Sequence, residues 1–233
     1  MKTENREDFF DEVVDTFYEQ IGAHFRNIFS RGQFFWTHVL YASENLQFWR
    51  PKNYDDTKTY AAEFIISSST KDTFNRNTPL YTPPLKIDEE FPVVRAKRRP
   101  VILVAPSPTK AEEREIRQGG KVNLNLCIVA PLYSVADKDG FRKYNEDFVD
   151  RIRKLEFPHL LFIPENSDKQ IRHSICRLDC LQACFANQLE AIDISLSEEV
   201  LTVVLGQVNF YSTGKYEGNY QIYRECLLNP TLC

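Results

Sequence analysis

The sequence predicts a mainly β protein of the α+β kind: a small, partly open barrel of short strands, with helices before it and one helix near its C-terminal end. Three observations lead there. The apolar runs are of strand length, at most about seven residues, and stretches rich in proline, glycine and polar residues separate them. Near the N-terminus, apolar residues recur at helical spacing instead. Close to residue 196 a capping signal opens a longer apolar face.

The elements follow in chain order. From residue 7 to about 30, Phe10, Val14, Phe17, Ile21, Phe25 and Ile28 form a stripe of helical period. Gly32 breaks it, and "QFFWTHVLYASENLQFW" reads as a second helix stopped ahead of Pro51. Beyond "KNYDDTKT" the texture turns to β. "YAAEFIISSS" is an expected strand, and "TKDTFNRNTPLYTPPLKIDEEFP" an expected long loop. "RPVILVAP" and "VNLNLCIVAPLYS" are strands, and "DKDGFRKYNEDFVDRIRKLEF" is a loop with a helical turn. "HLLFIP" and "HSICRLDCLQAC" are further strands. In "SLSEEVLTVVLGQVNFY", Ser195 and Glu198 have capping-box spacing, and Leu201, Val204 and Val208 extend one apolar face of a helix. The expected division is a helical segment 1–55, a barrel domain 56–210 and a tyrosine-rich tail 211–233. No internal repeat is visible.

Composition narrows the function. A net charge of −4 gives no global positive field, so any site for a polyanion must be local. Runs this short do not span a membrane. "MKTENREDFF" has no apolar signal core, and six cysteines without one fit reduced thiols, so a cytoplasmic protein is expected. "HSICRLDCLQAC" invites a metal site completed by His173. Along a helix or a strand, however, Cys176 and Cys184 stand about 12 Å or more apart, too far for one tetrahedral ion with bonds near ~2.3 Å. The cysteines therefore read as small buried hydrophobes, with no metal. No P-loop, dinucleotide-binding glycine pattern or nucleophile elbow is present, and no cofactor is expected.

The chemistry-bearing stretch is "KRRPVILVAP", where three basic residues run into a β-branched strand. It is followed by "VAPLYS" and then by "LDCLQAC" ahead of "SLSEEVL". From residue 95 to 190 this order resembles the MazF/PemK toxin family of bacterial toxin–antitoxin systems. That family has an Arg-Pro before a β-branched strand, then a V-P-L-T-S strand, then an acidic-Gln-aliphatic-basic pattern before its terminal helix. The resemblance covers well under half the chain. It implies an SH3-like barrel, a homodimer, an antitoxin protein as partner, and metal-independent cleavage of single-stranded RNA.

Such cleavage asks little of the protein. The RNA's own 2′-hydroxyl attacks the adjacent phosphorus, so the protein must orient the strand, offset charge on the phosphoryl oxygens and protonate the leaving 5′-oxygen. A guanidinium suits the second task because its planar fork stays charged and binds phosphate bidentately. Arg99 matches the family arginine. Aligned on Pro131 and Leu132, the family threonine falls on Tyr133, with Ser134 next to it on the opposite strand face. The candidate catalytic residues are thus Arg99, Tyr133 and Ser134. Lys97, Arg98, Asp179 and Gln182 are the candidate RNA-binding residues. Gln182 stands where the family has a basic residue, and Asp179 keeps the acidic position. His159 and His173 flank expected strands as weaker acid–base candidates. The competing reading is a catalytically silent barrel that binds RNA or a protein, with Tyr133 and Gln182 marking the altered site.

Overall fold

The computed structural model describes residues 8–41, 47–51, 64–68, 80–81, 84–86, 89–107, 125–137 and 139–229. In chain order its elements are α1 (Phe10–Val13), β1 (Tyr18–Gln20), β2 (Gln33–Leu40), β3 (Gln47–Pro51), β4 (Phe64–Ser68), β5 (Leu80–Tyr81), β6 (Pro84–Leu85), β7 (Phe91–Val93), β8 (Ala96–Ala105) and β9 (Leu126–Ser134). Then come α2 (Glu146–Arg153), β10 (Leu160–Ile163), β11 (Ser174–Arg177), β12 (Gln182–Phe185), β13 (Glu190–Leu196), α3 (Glu198–Thr213) and α4 (Gly218–Leu228). The fold is α+β. The chain falls into two compact units, Met1–Val39 with Arg98–Cys233, and Leu40–Lys97.

Among the described residues, the two expected N-terminal helices are reduced to one short helix. Helix α1 is a single turn, because the backbone at Val14 swings to an extended conformation (φ −76°, ψ 135°). The segment expected as the second helix begins as strand β2. Its residues alternate between faces: Phe34 enters one apolar cluster, while Phe35 and Val39 enter another. Alternation of period two is a strand property, and burying both faces erased the polar positions that would have shown it in the sequence. Phe34 and Phe35 are fully buried, each worth about 1.5–3 kcal/mol of transfer from water.

The first unit is built on one sheet in the order β1-β13-β2-β8-β9-β11-β10, with β12 also paired to β9. The registered pairs are antiparallel. Strand β9 has β8 along one edge and shares its other edge between two short strands: β11 opposes Leu132 to Ser134, and β12 opposes Leu126 to Val129. A single 3₁₀ turn, Leu178–Cys180, carries the chain from one to the other.

The sheet is not a closed barrel. Among the described residues no ladder joins its end strands β1 and β10, which have three and four residues. A side-chain bond spans the gap instead: the Tyr18 hydroxyl donates to the Pro164 carbonyl just past β10 (2.5 Å). Burial pushes the Tyr18 hydroxyl well above the usual phenol range, so it stays a donor.

Strand β13 is a further departure. Ile192, Ile194 and Leu196 are buried and alternate with Asp193 and Ser195, so "EAIDISL" pairs between β1 and β2. The helix after it is as expected, but its cap is Ser197, which accepts the Val200 N–H (3.3 Å), not Ser195. Val200, Val203 and Val204 of α3, with Tyr220 and Leu227 of α4, pack on the inner sheet face among Ile102, Leu132, Ile192 and Ile194. On the outer face, Ile152 of α2 packs with Leu160, Phe162 and Ile175. Within α3, Gly206 lets α4 approach closely, since an added Cβ would lie 2.6 Å from the Tyr220 Cβ. The expected tail thus contains the end of α3 and helix α4, Gly218–Leu228.

The second unit holds a three-stranded sheet, β4-β3-β7, and the two-stranded pair β5–β6. Its expected strand at "YAAEFIISSS" is β4. Most of the long loop expected over residues 70–92 lies outside the described residues. Arg50 pairs with the nearly buried carboxylate of Glu90 at 2.9 Å.

Candidate nucleic-acid interface

Register alone brings the first residues of the site together. Val101 opposes Pro131 across β8 and β9, and Tyr133 opposes Ile175 across β9 and β11. Continuing the β8–β9 register outward sets Arg99 beside Tyr133, and opposed antiparallel residues project to the same face. The side chains agree. The Arg99 guanidinium lies 4.4 Å from the Tyr133 ring centroid, a cation–π contact. Two residues after Ile175, on the same face of β11, Arg177 approaches the same ring at 5.9 Å. Arg99, Tyr133 and Arg177 are all half-buried.

Arg177 was not among the sequence candidates. Its signal was the Arg-Leu-Asp order at the end of a strand, which puts a cation within reach of a carboxylate in the following turn. Its Nε and a terminal nitrogen donate to the two oxygens of Asp179 at 2.6 and 2.5 Å. Burial works to raise the Asp179 carboxyl. The hydrogen bonds and charge of Arg177 outweigh it and hold the group below its usual range, with His159 adding a smaller pull the same way. Asp179 in turn keeps Arg177 firmly protonated. The cluster therefore brings two guanidiniums, Arg177 and Arg99, to the same ring.

The other sequence candidates scatter. Arg98, the neighbour of Arg99, points to the opposite face: it binds Glu190 at 2.5 Å and lies 4.6 Å over the Trp36 ring. Adjacent strand residues cannot serve one face, so Arg98 and Arg99 do not act together. Lys97 is exposed and falls in the second unit. Ser134 opposes Ser174 and projects away from the Tyr133 face. Gln182 opposes Val129, which shares the face of Tyr133 but lies four positions before it on β9, about 13 Å along the strand. His173 lies elsewhere. Its Nδ1 accepts the Glu165 N–H (3.2 Å) and its ring stacks on Phe162.

His173 instead lines a cleft of about 560 Å³ between α2, the 135–144 turn and the β10–β11 connection. Two ion pairs lie in its wall: Arg153 with Asp11 at 2.9 Å, and Arg142 with Glu146 at 2.7 Å. Among the described residues no three metal-ligating side chains converge, and no helix is long and apolar enough to cross a membrane. Cys127, Cys176, Cys180 and Cys184 are free thiols, whereas Cys226 is disulfide-bonded, a departure from the expectation of thiols throughout.

No family model, no curated protein and no solved structure matches this chain.

Proposed function

We propose that the protein binds single-stranded RNA, with a backbone phosphate at Arg99 and Arg177 and a base against the Tyr133 ring. The observation behind this is the convergence of two guanidiniums, from the neighbouring strands β8 and β11, on one tyrosine of β9. Their distances to the ring put them within about 10 Å of one another. Guanidinium forks suit phosphate oxygens, and a ring next to them offers stacking that tolerates any base. With net charge −4, affinity has to come from this cluster rather than from a general field. The reading keeps the MazF/PemK resemblance of "RRPVILVAP" and "VAPLYS", with the strand held rather than cut. Asp179 is spent on Arg177 and its depressed pKa makes it a poor base, so the cluster serves binding better than proton transfer.

One observation favours the second reading, metal-independent cleavage: His159 lies near enough to Asp179 to help stabilise its charge. In that reaction the RNA 2′-oxygen forms a bond to phosphorus and loses its proton, the bond from phosphorus to the 5′-oxygen breaks, and that oxygen gains a proton. Imidazole is the side chain suited to carry it. Incubating the purified full chain with a long single-stranded RNA, with and without chelator, separates the readings. Intact RNA retained on the protein supports binding. Chelator-insensitive fragments ending in 2′,3′-cyclic phosphate support cleavage. RNA that is neither retained nor cut removes both.

A further inference from the structure

Further along the outer face that carries Tyr133, strands β9 and β12 bring two thiols together. Cys184 and Cys127 are directly opposed in the antiparallel register, and both are free. Opposed residues project to the same side of a sheet, and Cys184 packs against the apolar cluster that contains Cys127. The ladder phase follows from one bond: the Ala186 N–H donates to the Asn125 carbonyl at 2.8 Å. Hydrogen-bonded and non-hydrogen-bonded pairs alternate, so Cys184 and Cys127 form a hydrogen-bonded pair with Cα atoms about 5.5 Å apart. Disulfides commonly span Cα separations of about 4.4–6.8 Å.

We propose that Cys127 and Cys184 are a redox modification site that closes into a cross-strand disulfide when the protein meets a low-molecular-weight disulfide. The two thiols differ in access. Cys127 is fully buried, while Cys184 is half-exposed. Cys184 therefore reacts first. Its thiolate attacks one sulfur of the small disulfide, forming a mixed disulfide and releasing one small thiol. The Cys127 thiolate then attacks the Cys184 sulfur, forming the cross-strand bond and releasing the second small thiol. Two protein thiols are oxidised, one small disulfide is reduced, and their two protons leave with the released thiols.

Two physical features set its character. Burial, with Cys127 adding to it, pushes the Cys184 thiol up to about 11, so few molecules hold the thiolate at neutral pH and the reaction accelerates as pH rises. The Cβ atoms of a hydrogen-bonded pair start about 5 Å apart, longer than a relaxed disulfide prefers, so the strands must draw together. A bond under such strain is easily reduced. The site is thus slow to close and quick to reopen.

The test uses the full chain, reduced and freed of reductant, then incubated with oxidised glutathione between pH 7 and pH 9.5. After acid quenching and alkylation, peptides are mapped by mass spectrometry with fragmentation, because Cys180 shares its tryptic peptide with Cys184. The expected product is a Cys127–Cys184 link that forms faster at higher pH and is lost on brief exposure to a dithiol. In Cys127→Ala the reaction should stop at glutathione on Cys184. In Cys180→Ser the link should persist. Glutathione accumulating on Cys184 of the unaltered chain with Cys127 still alkylatable would overturn the proposal. So would a link through Cys180, or thiols that stay reduced at the highest pH.

Discussion

Replacing Gly206 with alanine sets two effects of known size against each other. In a helix interior alanine is better than glycine by about 1 kcal/mol, so propensity alone makes the variant more stable. Space acts the other way. The new methyl would lie 2.6 Å from the Tyr220 Cβ and 3.5 Å from the Glu217 carbonyl oxygen. Carbon pairs settle at about 3.5–4.0 Å, so roughly 1 Å of separation has to be found. The Tyr220 Cβ is fixed to its backbone and cannot rotate away, and the residue is fully buried. Relief must come from shifting α4 against α3, and overpacking of this kind costs about 1–3 kcal/mol. Where the cost exceeds the propensity gain, the net is destabilisation of up to about 2 kcal/mol, and for a domain of this size each kcal/mol lowers the melting temperature by about 2–4 °C. Thermal and urea unfolding of the full chain measure it. Gly22→Ala is the control, since nothing lies within 4 Å of its added Cβ, and it should melt within about 0.5 kcal/mol of the parent. A Gly206→Ala protein that melts at or above the parent temperature would refute the close approach of the two helices as the reason for glycine there.

Three other substitutions bear on the cluster and the fold. Arg99→Ala should weaken binding of a single-stranded RNA about tenfold and flatten the dependence of log affinity on log salt by about 0.7, the share of one phosphate contact, in an anisotropy titration. Asp179→Asn releases Arg177 from its carboxylate and should tighten RNA binding in the same assay; weaker binding would count against Arg177 as a phosphate contact. The Asp179 carboxyl sits below its unfolded value, so its contribution to stability is present above an unfolded pKa near ~3.9 and is lost as pH falls through the folded value. Acid unfolding of Asp179→Asn should accordingly be less steep than that of the parent. Ser197→Ala removes the hydroxyl that accepts the Val200 N–H and should cost about 1 kcal/mol in urea unfolding, whereas Ser195→Ala should not reproduce that loss.

How much of this was legible depends on whether a residue's environment is set locally. "PVILVA" reads as a strand because an apolar β-branched run of that length leaves little else, and β8 is that strand. Helix α3 was legible through its serine cap and apolar spacing, though two serines stood close enough to be confused. The N-terminal stripe misled because Phe10, Val14 and Phe17 do enter one core together. They reach it from a single helical turn followed by an extended chain, and spacing of three or four does not distinguish that path from a helix. The alternation of Ile192, Ile194 and Leu196 was a strand signal in plain view, overshadowed by the helix cap beside it. At the site, Arg99 and Tyr133 were found by comparison with a family pattern. Arg177 was missed because its place beside Tyr133 depends on the register of β11 against β9, which no local pattern encodes. The same ignorance of faces grouped Arg98 with Arg99.

The bond from Tyr18 to the Pro164 carbonyl also bears on how molecules of this protein meet one another. An open sheet offers unpaired backbone groups along its last strands, and neighbouring chains can extend such edges into shared sheets. Here the last strands are three and four residues long, and the buried tyrosine hydroxyl occupies a carbonyl just past one of them. Short, partly capped edges give an incoming strand few successive groups to grip. Edges this short limit the sheet-to-sheet pairing that a fully closed barrel escapes by having no edge at all.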